Sequence, residues 1–294
     1  MRGETAGEGG TASTLGNIPG LRRDERPVGT GSAQHASCRR SVHQSPPESP
    51  EDESSLRLFC LPYAGGGAAV FRGWRGRLGP GLEAWPVELP GRGARLKEKP
   101  QTRLRALACD LAGALDLPPG QPYAFLGYSL GALLAFEAIR ELRRRGQRSP
   151  AQLFVAARRG PRLRDPGEPI HLLPDADFVR EIQARYPGGI PEPVLREAEV
   201  MALLLPSLRA DFEMLETYQY VEEEPLDCPV TAFRGHDDVR VPLESLEAWS
   251  QETRGDFMVR EFPGGHFFLR GVEAEVQGLI CDQLGAVPGG ESSR

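Results

Sequence analysis

The sequence predicts an α/β fold: a mostly parallel sheet with helices on both faces and a helical lid inserted between two strands. Three observations carry this expectation. Short apolar runs alternate with longer segments of helical periodicity from about residue 56 to 284, the signature of βαβ units rather than hairpins. One junction, Gly127-Tyr128-Ser129-Leu130-Gly131, joins an apolar run directly to a helix-forming one. The alternation is interrupted once, over 174–220, where helical spacing continues without an intervening strand.

The elements follow in order. Residues 56–61 form an apolar run that enters the glycine-rich Pro62-Tyr63-Ala64-Gly65-Gly66-Gly67, and a helix is expected over 68–78. A second strand is expected over 83–89, then a helix over 102–116 and a third strand over 123–127. The third helical stretch, 130–145, ends in the basic run Arg140 to Arg148. Positive charge there complements a helix C-terminus, and a solvated helix end is the expected setting, with a weak attraction for an acidic partner as the alternative. Strands are expected at 151–157, 228–234 and 257–262, with helices at 243–253 and 272–284. Within 174–220, Val194, Ala198, Met201, Leu205, Leu208, Phe212 and Leu215 recur at helical spacing. Pro206 lacks an N–H and clashes with the preceding turn, so two helices are expected there rather than one. An insertion at that point is a natural lid and pocket wall, although the same residues also suit a core.

The chain divides near residue 55. Residues 1–54 contain no Phe, Trp or Tyr but eight Gly, seven Ser and five Pro. Such a segment buries too little apolar surface to offset its ordering entropy, and is expected to be disordered. Its eight acidic residues and the absence of an apolar core argue against a targeting peptide. Residues 55–294 fit one domain. A net charge of −6 argues against nucleic acid as a partner, and no apolar run approaches the roughly 20 residues that span a bilayer. The five cysteines, Cys38, Cys60, Cys109, Cys228 and Cys281, are scattered without a C-x-x-C. Neither a disulfide framework nor a zinc site is expected. Cys60, Cys109 and Cys228 lie in apolar runs and are expected to be buried. No metal or cofactor is implied, and a cytoplasmic monomer is the expected form.

The chemistry is read from the G-x-S-x-G junction. Strand, sharp turn and helix form a nucleophile elbow, which projects a serine hydroxyl above the sheet. A Gly-Ser turn before a buried helix would look the same in isolation, so partners are required. They must follow in the order acid, then histidine. Of the five histidines, His266 in Pro263-Gly264-Gly265-His266 follows a strand-like run and is the candidate base. The acid belongs on the preceding loop, Arg234-Gly235-His236-Asp237-Asp238-Val239, as Asp237 or Asp238. Serine is a weak nucleophile until a neighbouring imidazole removes its proton, and a carboxylate fixes the tautomer of that imidazole. Backbone N–H groups of Ala64 and Leu130 are the expected oxyanion donors. The same loop also fits a dinucleotide-binding pattern: Gly65-Gly66-Gly67-Ala68-Ala69-Val70 approaches G-x-G-x-x-G, with Glu88 placed for a ribose. Val70 replaces the third small residue, and this reading leaves the elbow unexplained.

Taken together, the stretches Leu61 to Gly66, Leu89-Pro90-Gly91-Arg92-Gly93, the elbow, Ala157 to Pro161, Leu205 to Phe212, Cys228 to Ala232 and Phe262 to Phe268 are specific. They resemble the stand-alone type II thioesterases of polyketide and nonribosomal peptide synthesis, a group related to vertebrate medium-chain acyl-carrier-protein hydrolases. The resemblance implies an α/β-hydrolase fold and a serine hydrolase that removes acyl groups from the phosphopantetheine thiol of a carrier protein, clearing stalled chains. A general carboxylesterase and a non-catalytic carrier-binding homologue are the alternatives. The family places its acid three residues after a glycine, so Gly235 points to Asp238, giving Ser129, Asp238 and His266. Tyr63 and Tyr128 stand where the family often has histidine, and Val239 where it often has proline.

Overall fold

The computed structural model describes residues 55–285; the expectation for residues 1–54 lies outside them. Six strands run parallel in the order β2-β1-β3-β4-β5-β6. They are β1 (Leu56–Leu61), β2 (Leu82–Pro86), β3 (Tyr123–Tyr128), β4 (Leu153–Ala156), β5 (Val230–Gly235) and β6 (Phe257–Phe262). Side chains alternate between two apolar layers. Phe59, Tyr123, Phe125, Leu153 and Val155 enter one layer, and Leu58, Cys60, Leu126, Phe154 and Phe233 the other. Strands buried on both faces read as continuous apolar runs, which is why they were visible in the sequence.

Helices α1 (Leu104–Ala114) and α2 (Leu130–Arg144) cover the first face. The second is covered by a 3-10 segment, Ala68–Trp74, and by α7 (Leu269–Gly285). The first of these was expected to be a longer α-helix. Gly67 provides no capping side chain and Phe71 leaves helical geometry (φ −109°, ψ 19°), so only tight turns form. Between β5 and β6 lie α6 (Leu243–Glu247) and a 3-10 turn, Ala248–Glu252, in place of one continuous helix.

Strand order reverses between β1 and β3, whose loops diverge at their carboxyl ends. Open α/β sheets bind ligands in such a crevice. The register aligns those ends: Leu61 pairs with Gly127, Tyr128 with Ala156 and Gly235 with Phe262. All the loops singled out above therefore leave one edge of the sheet.

Between β4 and β5 the chain forms α3 (Asp175–Arg185), α4 (Glu192–Arg196) and α5 (Ala198–Thr217). Ile170, Phe178, Ile182, Met201, Leu208 and Phe212 give this insertion an apolar core of its own. Pro206 does not break α5, contrary to expectation. One ladder hydrogen bond is lost there, but Met201 on one side and Leu208, Phe212 and Met214 on the other are buried. Packing on both sides of the proline outweighs the local penalty.

Two other expectations fail. Cys109 is exposed, because α1 turns Leu107, Ala108, Leu111 and Ala112 inward and the 3.6-residue period places position 109 outward. The basic run is not merely solvated. Arg140 is buried against Glu137 at 3.0 Å, while Arg144 and Arg145 share Glu141. Only Arg140 leaves the solvent; Arg144 and Arg145 remain exposed, as a solvated helix end requires.

Candidate active site

Ser129 sits at φ 52°, ψ −107°, a conformation rarely adopted by residues with a side chain. Its N–H bonds Ala156 O at 2.8 Å, which ties the elbow to the end of β4. The turn closes because Gly131 has no Cβ; one would lie 2.2 Å from Leu61 O. Leu130 opens α2, so its N–H has no carbonyl behind it in the helical ladder.

His266 lies after β6. Its Nε2 is 3.1 Å from Ser129 Oγ, and its Nδ1 is 2.7 Å from Asp238 Oδ2. Ser129, His266 and Asp238 are all buried, at 6 %, 9 % and 3 % exposure. Asp238 Oδ1 accepts the backbone N–H of Arg240 at 3.0 Å. The loops carrying acid and histidine meet through backbone bonds, Asp237 N–H to Gly264 O and His236 N–H to Phe262 O. Gly235 permits that approach, since a Cβ there would stand 2.2 Å from Gly265 O. Asp237 points to solvent. The structure thus joins Ser129, His266 and Asp238 in one hydrogen-bonded series and leaves Asp237 outside it.

The other two histidines among the described residues lie elsewhere. His171 Nδ1 lies 2.5 Å from Glu216, and His236 is largely exposed near Glu261. Glu88 accepts the N–H of Ala68 at 3.2 Å and presses against Gly67 and Gly93; it braces loops rather than facing an open nucleotide site. The Ala64 N–H has no backbone or side-chain acceptor among the described residues, and Ala64 lines the same cavity as Ser129.

That cavity has a volume of about 280 Å³. Ile182, Ile190, Val194, Leu204, Leu208 and Phe212, all from the insertion, form much of its wall. Tyr186 packs edge-on against the His266 ring at 4.8 Å, and burial raises its pKa above the ordinary tyrosine value. The two tyrosines that depart from the family pattern both have structural work. Tyr128 OH donates to His266 O at 2.7 Å, fixing the histidine's backbone, and burial drives its pKa upward. Tyr63 OH accepts from Arg270 at 2.8 Å. Two residues that sequence reasoning left without a role, Arg92 and Asp211, form a buried ion pair beside this site.

A family model for the thioesterase domain matches residues 56–284. The chain belongs to the thioesterase domain family. It is 42 % identical over 231 residues to the gramicidin S biosynthesis protein GrsT of Aneurinibacillus migulanus, covering 79 % of this chain and 90 % of that one. The solved structure of RedJ, a thioesterase of the prodiginine pathway in Streptomyces coelicolor, superposes with a TM-score of 0.73 at 39 % identity, over 82 % and 96 % of the two chains. BorB, a type II thioesterase from the borrelidin cluster, superposes with a TM-score of 0.73 at 36 % identity, over 80 % and 95 %. The parallel sheet of this thioesterase, with helices on both faces, accords with those solved structures. None of its helices, among the described residues, is long and apolar enough to cross a membrane.

Proposed function

We propose that this thioesterase hydrolyses acyl groups from the phosphopantetheine thiol of a carrier protein, removing stalled or aberrant chains during polyketide or nonribosomal peptide synthesis. The observation that carries the reading is the Ser129–His266–Asp238 series opening into an apolar cavity beneath an inserted helical layer. The relatives from gramicidin S, prodiginine and borrelidin synthesis supply the biosynthetic setting.

Ser129 Oγ attacks the thioester carbonyl while His266 Nε2 takes its proton. Asp238 holds Nδ1–H and stabilises the imidazolium. The carbonyl oxygen, now an anion, is held by the N–H groups of Ala64 and Leu130. Collapse expels the pantetheine sulfur, to which His266 returns the proton. Water then enters, loses a proton to His266 and attacks the acyl-serine carbonyl; collapse releases the acid as Ser129 Oγ takes that proton back from His266. The apolar wall suits an acyl chain, and residues 174–220 act as the lid over it. A pantetheine arm delivers the thioester beneath that lid while the carrier remains outside.

The test compares one acyl group on carrier protein, on CoA, on N-acetylcysteamine and as a nitrophenyl ester. Contact with the carrier body adds remote binding that the small thiols lack, and such binding raises kcat/KM. The carrier thioester should be the most efficient substrate, and Ser129→Ala should abolish both turnover and labelling by a fluorophosphonate. Equal efficiency on all four would replace this reading with a general esterase.

A further inference from the structure

Asp211, on α5, is fully buried. A lone carboxylate in that position would be strongly disfavoured. Its partner is Arg92, on the loop after β2, which is 8 % exposed. Arg92 Nη1 donates to Oδ2 at 2.6 Å and Nη2 to Oδ1 at 2.7 Å, a bidentate pairing. Burial alone would lower the Arg92 pKa, but the attraction of Asp211 outweighs it and the guanidinium ends above its ordinary value.

The pair reaches further. Asp211 Oδ2 also accepts the N–H of Gly65 at 2.7 Å, and Arg92 Nη1 also donates to Gly66 O at 3.0 Å. The two side chains therefore grip consecutive residues of the loop that presents the Ala64 N–H. Gly65 has φ +78°, and a Cβ on it would stand 2.7 Å from Leu208 Cδ1, one turn before Asp211. Loop and helix are in direct contact at this point. Neither Arg92 nor Asp211 lines the cavity, so neither meets an acyl group there. An apolar pair of similar volume fills a core equally well; what it cannot do is accept the Gly65 N–H.

We propose that Arg92 and Asp211 are positioning residues that set the oxyanion loop, so that the Ala64 N–H faces Ser129 only while α5 is docked. The insertion then completes the catalytic site as well as covering it. This rests on the assignment of Ala64 as an oxyanion donor under the function proposed above.

The experiment uses Asp211→Leu, Asp211→Asn, Arg92→Lys and the double variant Arg92→Met/Asp211→Leu in the full chain. Three quantities are read: thermal midpoint, kcat and KM on a short acyl-pantetheine thioester, and affinity for an alkylboronic acid that mimics the tetrahedral intermediate. Asp211→Leu should lower kcat by roughly 100- to 1000-fold, the loss typical of one oxyanion donor, with boronate affinity falling in parallel and KM little changed. Asp211→Asn keeps an oxygen for the Gly65 N–H and should retain more rate. The double variant should recover thermal stability without recovering kcat. Recovery of both together would reduce the pair to a structural role and overturn the proposal. Should the leucine variants not fold, Arg92→Lys decides: wild-type kcat and boronate affinity in that variant would overturn it equally. The outcomes separate from those of the parent reading, since a wild-type protein that neither hydrolyses the thioester nor reacts at Ser129 refutes the function itself.

Discussion

Replacing Asp238 with asparagine should cost about four orders of magnitude in kcat, and the reason lies in where its two oxygens point. Oδ2 faces His266 Nδ1 at 2.7 Å, and Oδ1 accepts the backbone N–H of Arg240 at 3.0 Å. An amide has one oxygen and one NH2, so only one of these partners keeps an acceptor. The backbone N–H cannot cease to be a donor, and leaving it buried against the NH2 would cost about 1–3 kcal/mol. Imidazole can change tautomer. The amide oxygen therefore turns to Arg240 and the NH2 to His266, whose Nδ1 must then be unprotonated. Nε2 becomes N–H and faces Ser129 Oγ as a donor, unable to take its proton. A locked wrong tautomer lowers kcat about 10⁴-fold in serine hydrolases of this type, equivalent to about 5.4 kcal/mol of barrier. The assay is single-turnover hydrolysis of an acyl-pantetheine thioester by Asp238→Asn and Asp237→Asn, with folding verified by thermal melting. Asp237 is exposed and its replacement should leave kcat within about threefold of wild type, the range of a neutral surface change. A loss of less than about tenfold for Asp238→Asn, or a larger loss for Asp237→Asn, would refute the tautomer argument.

Two further predictions concern packing. Gly131→Ala places a methyl group 2.2 Å from the backbone oxygen of Leu61; it should destabilise the fold by about 3 kcal/mol and lower Tm by roughly 10 °C. Gly278→Ala in α7, where a Cβ meets nothing within 4 Å, should instead gain about 0.5–1 kcal/mol of stability by helix propensity; a melting scan that ranked the two alike would contradict the contact analysis. Burial pushes the Cys228 thiol up to about 12, so at pH 8 roughly one molecule in 10,000 carries the reactive thiolate. Exposed Cys109 should therefore alkylate ahead of Cys228 and Cys60, which react only on unfolding, as read by peptide mass mapping; rapid native labelling of Cys228 would disprove that burial.

How much of this was legible in the sequence depended on the range of the interactions. Two-sided burial writes the four inner strands as apolar runs, while the half-exposed edge strands β2 and β6 are legible from their short β-favouring runs between turn residues. The elbow was legible because strain and close approach restrict it to a few residue types: Gly131 for contact with Leu61, a serine at the turn, and an apolar helix behind it. Order along the chain then selected His266 and narrowed the acid to two neighbours. Local chemistry did not separate Asp237 from Asp238, because adjacent residues differ only in which way the backbone aims them; the resemblance pointed to Asp238, and it is Asp238 that lies against His266. Propensity misjudged Pro206, since the burial that carries α5 through it comes from residues distant in sequence. It also misplaced Cys109, where one position on a helix separates core from solvent. Arg92 and Asp211 were visible only as members of family-like stretches. They lie 119 residues apart, and no local pattern records that two such side chains will meet. The sequence by itself determined the sheet, the elbow and the short set of candidate residues around it, because those follow from local chemistry and period. The tertiary structure alone decided that Arg92 meets Asp211 and that α5 grips the loop beside Ser129, because these are long-range contacts fixed only when the whole chain packs.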